Sequence, residues 1–342
     1  MIRLILIMRN FIKYILTLLI ISLTGFYGCR DNSVSPNNYT GNPLVLVGGF
    51  STTSNCVNAF AKNINGIDYA FLSLDTSGIQ IVNINNPASP QFVSAYHVSG
   101  TSLEVYVAYI NNVPYAFVAG GSGGVTILNL TNITSPALDT VLNFSGDFIN
   151  TVFVDTASRM LYTGGSNKNM YIVNAMNLPQ AGSVNTYLSF SYINEIQINK
   201  NVAYIAEDGG LDIVNVSNPA SPLNLSQGTT NDYAYDVKIS GNFALLSNNQ
   251  NGVIVINISD PANPVEVGIL DTYDIGLSCS VDGNLIYVAE DQSGVEVFDI
   301  SNPVNPPRVA YYTTPGYTEN VFFHNGNVLV SDYTDFLLLR LP

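Results

Sequence analysis

From residue 43 onward the chain is written in short apolar runs separated by Gly, Pro, Asn, Asp and Ser. One stretch shows the grammar. Tyr235 to Ile239 alternates apolar and polar side chains, and Ser240-Gly241-Asn242 is a turn. Phe243 to Ser247 is a second run, and Asn248 to Gly252 is a loop. Val253 to Ile258 is a third run, Asp260 to Pro264 a turn, and Val265 to Leu270 a fourth run. β-Branched and aromatic runs bounded by turn residues predict strands. The same unit recurs. GLDIVNVSNPASP from Gly210, GVIVINISDPANP from Gly252 and GVEVFDISNPVNP from Gly294 align without gaps. Further copies start at Gly78, Gly124, Asn169 and Asp335, so the spacings are 46, 45, 41, 42, 42 and 41. A strand-rich period of that length, with no helical pattern, is the period of propeller blades. The expectation is an all-β chain, a seven-bladed β-propeller of four-stranded blades with strands A to D.

The seventh unit lacks its last strand. It has A near Asn320–His324, B near Val328–Asp332 and C at Phe336–Leu341, and then the sequence ends. The stretch Pro43 to Gly49 resembles the D strands that follow Pro264 and Pro306. Residues 43–49 are therefore expected to supply that D strand, so that an N-terminal strand closes the ring and leaves no open edge. The propeller is expected to span 43–342.

GLDIVNVSNPASP and GVEVFDISNPVNP, with the upstream VAYIAEDGG and LIYVAEDQSG, resemble the LVIVD-repeat proteins. The resemblance is strongest in units four to six, fair in one and two, and weak in three. It implies a β-propeller and an exported, surface location. It implies no established catalytic residues.

The N-terminus differs in kind. Arg3, Arg9 and Lys13 precede a largely apolar run from Tyr14 to Tyr27, the form of a secretory signal, with Met1 or Met8 as its start. Gly28-Cys29 resembles the lipobox of bacterial lipoproteins, although Phe26 is bulky where that motif carries an aliphatic residue. The expected organisation is a signal peptide over 1–28, then lipidated (palmitate-bearing) Cys29 with a flexible polar tether over 29–42. The chain would be exported and membrane-anchored at the outer membrane or cell surface. An uncleaved anchor or an ordinary signal is the alternative.

Charge narrows the partners. The chain has 11 Lys+Arg and 25 Asp+Glu, a formal net charge of −14, and loss of Arg3, Arg9 and Lys13 would make it −17. Such a chain has no electrostatic footprint for nucleic acid. Cys56 and Cys279 are assigned to A strands of blades one and six and expected to be buried free thiols. Blade seven would lie between them, beyond disulfide reach.

The acids Asp75, Glu207, Asp208, Glu290, Asp291 and Asp332 fall in B–C loops. This predicts an acidic, varied face opposite a uniform NPxxP face. Aligned by unit, the A strands begin with Asn58, Glu104, Asn150, Glu195, Asp236, Ser278 and Asn320. Tyr192, Tyr233 and Tyr317 stand three residues upstream of Glu195, Asp236 and Asn320, and Phe148 is close to that place in unit three. Carboxylates and amides flanked by aromatics can grip a sugar, a cation or a peptide end. The competing reading is that they merely begin strands beside a hydrated channel.

The Asn or Asp that ends strand C (Asn83, Asn129, Asn174, Asn215, Asn257, Asp299) is read as a turn brace. The GxSxG match at Gly120 to Gly124 falls in a hairpin loop, without the strand-to-helix turn that a nucleophile elbow needs. No cofactor and no zinc site are expected, and a cation such as calcium between adjacent loops is the only metal option. The leading expectation is a monomeric, non-catalytic binding or scaffolding propeller. It would contact extracellular or periplasmic protein or glycan through the acidic face. The alternatives are a glycan-acting hydrolase or lyase using Glu104, Glu195 and Asp236, and a structural envelope protein.

Overall fold

A computed structural model describes residues 43–178, 180–229, 233–249 and 252–342. The signal, Cys29 and the tether lie outside the described residues. The chain divides into two units, 1–40 and 41–342, and every described residue belongs to the second.

That unit holds seven antiparallel sheets, six of them four-stranded meanders in chain order. Blade four is representative, with A at Ile193–Asn199, B at Val202–Glu207, C at Gly210–Asn215 and D at Leu223–Thr229. In blade five the observed strands, Ala234–Ser240, Phe243–Asn248, Gly252–Asn257 and Val265–Leu270, lie within one residue of the expected ones.

Blade seven closes the ring. Its A strand is Asn320–His324, and Asn327–Arg340 supplies both B and C by turning at Tyr333, where φ is 58°. Strand D is Val45–Cys56, paired from Val45↔Arg340 through Phe50↔Phe336 to Cys56↔Tyr333. It is longer than expected and carries Cys56 as its last residue. Cys56 thus belongs to blade seven and not to the A strand of blade one. Cys279 lies in adjacent blade six, and both thiols are free and buried. Burial pushes the Cys56 thiol up to about 12 and Cys279 also far upward. Neither is a nucleophile at neutral pH.

Seven hydrophobic clusters fill seven interblade spaces. Ile64, Phe71, Ile79 and Ile81 of blade one pack on Val105, Val107 and Val118 of blade two. The intervening Ala70, Leu72 and Val82 pack on Leu329, Phe336 and Leu338 of blade seven. Each B and C strand is buried on both faces, so these strands read as continuous apolar runs. A blade has no core of its own; burial comes from its neighbours.

The C–D turns owe their uniformity to side-chain caps. Asn83, Asn129, Asn174, Asn215, Asn257 and Asp299 each accept the backbone N–H two residues on, at 2.8–2.9 Å. That is an Asx turn, as the turn-brace reading expects. Strand C opens on a glycine for a steric reason. Gly294 has φ 95°, and a Cβ there would lie 2.2 Å from the Tyr312 carbonyl oxygen.

Candidate binding site at the channel mouth

Strand A is innermost in each blade, and its first residues meet at one end of the central channel. Register defines the ring. Asn58, Glu104, Glu195, Asp236, Ser278 and Asn320 pair with the small residues Ser73, Ala119, Ala206, Ser247, Ala289 and Ser331. In blade three the residue in that register is Thr151, opposite Gly164, and Asn150 is a bulge. The expected ring is off by one there: Asn194 and Tyr235 bulge in the same way just before Glu195 and Asp236, so the equivalent residue in blade three is Thr151 and not Asn150. The correction also places Phe148 three residues upstream, where other blades carry Tyr192, Tyr233 and Tyr317.

The seven ring residues, together with Lys238, form a closed circuit of interblade hydrogen bonds. Asn58 Oδ1 accepts Val105 N–H at 3.4 Å, and Glu104 Oε2 accepts Val152 N–H at 2.8 Å. Thr151 Oγ1 donates to Glu195 Oε2 at 3.1 Å, and Lys238 Nζ donates to Glu195 Oε1 at 2.9 Å. Asp236 Oδ2 accepts Cys279 N–H at 2.8 Å, and Asn320 Nδ2 donates to Ser278 Oγ at 3.0 Å. Asn320 Oδ1 accepts Ala59 N–H at 3.2 Å and completes the circle. Each step crosses to the next blade. The ring is polar because edge backbone groups beside a channel need partners.

Lys238 is a member of the site that the sequence pattern does not single out. It follows Asp236 by two residues on strand A and points along the same face. Its ammonium lies 2.6 Å from Asp236 Oδ1 and 2.9 Å from Glu195 Oε1. Burial works against the charged ammonium, but the Asp236 and Glu195 carboxylates hold its pKa well above the ordinary value. Burial, and then the Glu195 charge, push the Glu104 carboxyl well above the usual range. Burial also raises Glu195. The mouth is therefore not the bare carboxylate ring that the sequence suggests. One cation is built into it.

The equivalent position in the other blades continues the channel wall. Phe322, Phe60, Tyr106 and Phe153 contact one another blade to blade, with ring centroids 4.7–5.0 Å apart. Gln197, Lys238 and Ser280 occupy the same level on the remaining blades. A cavity of about 150 Å³ at the mouth is lined from all seven blades, Asn58, Glu104, Asn150, Glu195, Asp236, Ser278 and Asn320 among them. Tyr192, Tyr233 and Tyr317 are not part of its lining. They stand outward on the loops, half exposed.

The acidic face also needs correction. Glu207, Glu290 and Asp332 close strand B and are fully buried. Glu207 Oε2 accepts Ser189 Oγ–H and Ser191 N–H at 2.7 and 2.9 Å. Glu290 Oε2 accepts Tyr273 and Asp274 N–H at 3.2 and 3.3 Å, and Asp332 Oδ2 accepts Gly316 N–H at 2.9 Å. These carboxylates fasten D–A loops from inside. Glu290 Oε1 and Glu296 Oε2 have no N–H or hydroxyl partner, and the two carboxyl groups act on each other's ionisation. Burial, and then Glu296, push Glu290 well above the carboxylate range. The other Glu296 oxygen meets Arg308 Nε at 2.7 Å. Asp75, Asp208 and Asp291 stay at the surface. Neighbouring loops there also meet backbone to backbone, at Asp75↔Ser102 and Asp291↔Thr318. Among the described residues no group of three or more His, Cys, Asp or Glu gathers as metal ligands.

The repeating unit is recognisable in sequence as well as in geometry. Residues 65–98, 192–230, 232–272 and 277–314 match the model of the LVIVD repeat. These are LVIVD repeats. The last three segments each contain one whole blade, four, five or six, and the first begins just before strand B of blade one. Blades two, three and seven share the architecture without matching. No curated protein matches the chain. Among solved structures, the crystal structure of Chaetomium thermophilum Raptor is similar, with a TM-score of 0.68 at 10% identity over 90% of this chain. The chain spans 30% of that Raptor chain. At that identity the likeness shows the fold alone.

Proposed function

We propose that this LVIVD-repeat propeller is a non-catalytic binding or scaffolding protein, exported and lipid-anchored through Cys29, that meets protein or glycan with its D–A and B–C loop face. The observation carrying this reading is the division of labour at that face. Its recessed polar groups are occupied in the interblade circuit and in loop braces, whereas its aromatic loop residues face water. Rigid scaffold with varied, exposed loops is the arrangement of binding surfaces. Catalysis by Glu104, Glu195 and Asp236 is disfavoured, because each already accepts hydrogen bonds that hold neighbouring blades. Strand D of blade seven enters from the opposite, C–D-turn end, which leaves the loop face away from that point of attachment.

Two measurements test the proposal. A photo-crosslinking residue at Tyr192 or Tyr233 should trap partners on living cells, while one at Lys200, in an A–B turn, should not. Equal trapping at both ends, or none, would remove the binding reading. Cys29→Ser should release the protein from membranes or leave its precursor uncleaved. A mutant that fractionates and migrates as the parent does would remove the lipid anchor.

A further inference from the structure

Exposed aromatics are concentrated on one face. Phe190, Tyr192, Tyr233, Tyr273 and Tyr317 all lie in D–A loops, of the consecutive blades four to seven, and are between 38 and 58% exposed. D–A loops emerge at one end of the propeller, so the five rings lie along a single arc beside the channel mouth. Tyr317 leans on Tyr333 of a B–C loop at 5.9 Å, edge to face, which stiffens that end of the arc. Large, rigid aromatic groups offered to water in this way are the usual anchors of protein interfaces.

Charge identifies the occupant. Asp208, Asp274, Asp291 and Glu319 stand among these loops. Of the seven Lys and Arg among the described residues, two reach this end, Lys168 with Nζ on the Phe190 carbonyl at 3.1 Å and Arg308 with Nη2 on the Asp271 carbonyl at 3.0 Å. Lys62, Arg159, Lys200 and Arg340 belong to the other end, Lys238 is tied up in the channel, and Arg308 is also paired with Glu296 inside blade six. The arc therefore combines aromatic faces with several carboxylates, and its two nearby cations are each already bonded. Aromatic rings attract ammonium and guanidinium groups, more so when carboxylates stand beside them. A neutral glycan would gain nothing from the charge, and an anionic one would be repelled.

We infer that the arc on blades four to seven docks a basic, Arg- or Lys-bearing segment of another protein, its cationic side chains laid against the tyrosine rings. This rests on the binding reading of the loop face and names the partner's chemistry.

The test uses purified full-length protein in detergent and calorimetric titration with three probes. They are a ten-residue Arg-Gly repeat peptide, a Glu-Gly peptide of the same length, and cellohexaose. The Arg-Gly peptide should bind, more weakly as salt rises, and the other two should not. Tyr192→Ser with Tyr233→Ser leaves net charge unchanged and should weaken that binding at least tenfold without moving the melting temperature; Tyr273→Ser should act in the same direction. Unchanged affinity in these variants would overturn the inference, since attraction would then be bulk charge alone. Cellohexaose binding without peptide binding would overturn it too. If crosslinking at Tyr192 still traps partners in that case, the binding face survives and only its partner class is wrong.

Discussion

Lys238 shows how one residue can carry an arrangement. It supplies the cation for two carboxylates that face a narrow channel, and it bridges blades four and five. Its raised pKa means that its contribution is complete below the unfolded lysine value and is lost only as pH rises through the higher folded one. Lys238→Met should cost about 3 kcal/mol at pH 7, because it leaves Glu195 and Asp236 unpaired. The cost should shrink toward pH 4, where Glu195, raised by burial, takes a proton. Urea unfolding at the two pH values checks both size and trend. Glu290 works in the opposite sense. Its folded pKa is raised, so the folded protein retains a proton that the unfolded chain releases. The parent therefore loses stability as pH rises from the unfolded carboxylate pKa, about 4.3, through the folded value. Glu290→Gln keeps a donor toward Glu296 and removes the titration. Its stability should exceed the parent's at pH 8, and the advantage should vanish near pH 4. A variant whose unfolding follows the parent's at both values would contradict the raised Glu290 pKa.

At the scale of the element, the C–D turn and the B–C end of each blade do different work. The turn is a local device, in which an asparagine side chain accepts a backbone N–H two residues on. Asn257→Ala should remove one such bond, at a cost of about 1 kcal/mol, and should leave binding at the loop face untouched because it lies at the other end. A thermal melt of that variant beside Asn215→Ala gives the size, and equal losses are expected from equal geometry. The B–C end is not local. Glu207, Glu290 and Asp332 each reach a loop that precedes their own blade's A strand, so their role exists only once the sheet has formed. Their spacing reads as an acidic surface, and the fold turns it inward.

For the whole molecule, ring closure is the governing feature. Seven clusters fill seven interfaces, and the blade six–seven cluster includes Leu44. Removing residues 43–51 takes away most of strand D of blade seven, exposes the C-strand edge and uncovers the clusters on both sides. The deletion should aggregate or melt far below the parent. Appending the same nine residues after Pro342, through a turn copied from Asn302 to Pro306, should restore the missing D strand from the other end of the chain. Recovery of the melting temperature by transplantation would show that position in space, not in sequence, is what the ring requires. A deletion that melts as the parent does would refute closure.

The sequence alone determined the blade count, the strand order, the closing strand and the Asx turns. These come from local pattern repeated at a fixed period, and a strand buried on both faces declares itself in its own composition. Most of the channel-mouth ring was legible for the same reason, since equal register gives equal position. Tertiary structure decided the rest. Thr151 and not Asn150 stands in the ring, because strand A of blade three bulges at Asn150 as blades four and five do at Asn194 and Tyr235, and a weak repeat copy does not reveal that register. Lys238 joined Glu195 across a blade boundary, a contact between residues 43 apart in sequence. Glu207, Glu290 and Asp332 went inside and the tyrosines stayed out. Whether a polar side chain at a strand end meets water or a neighbouring loop depends on how blades pack around an axis, and that is a property of the closed ring.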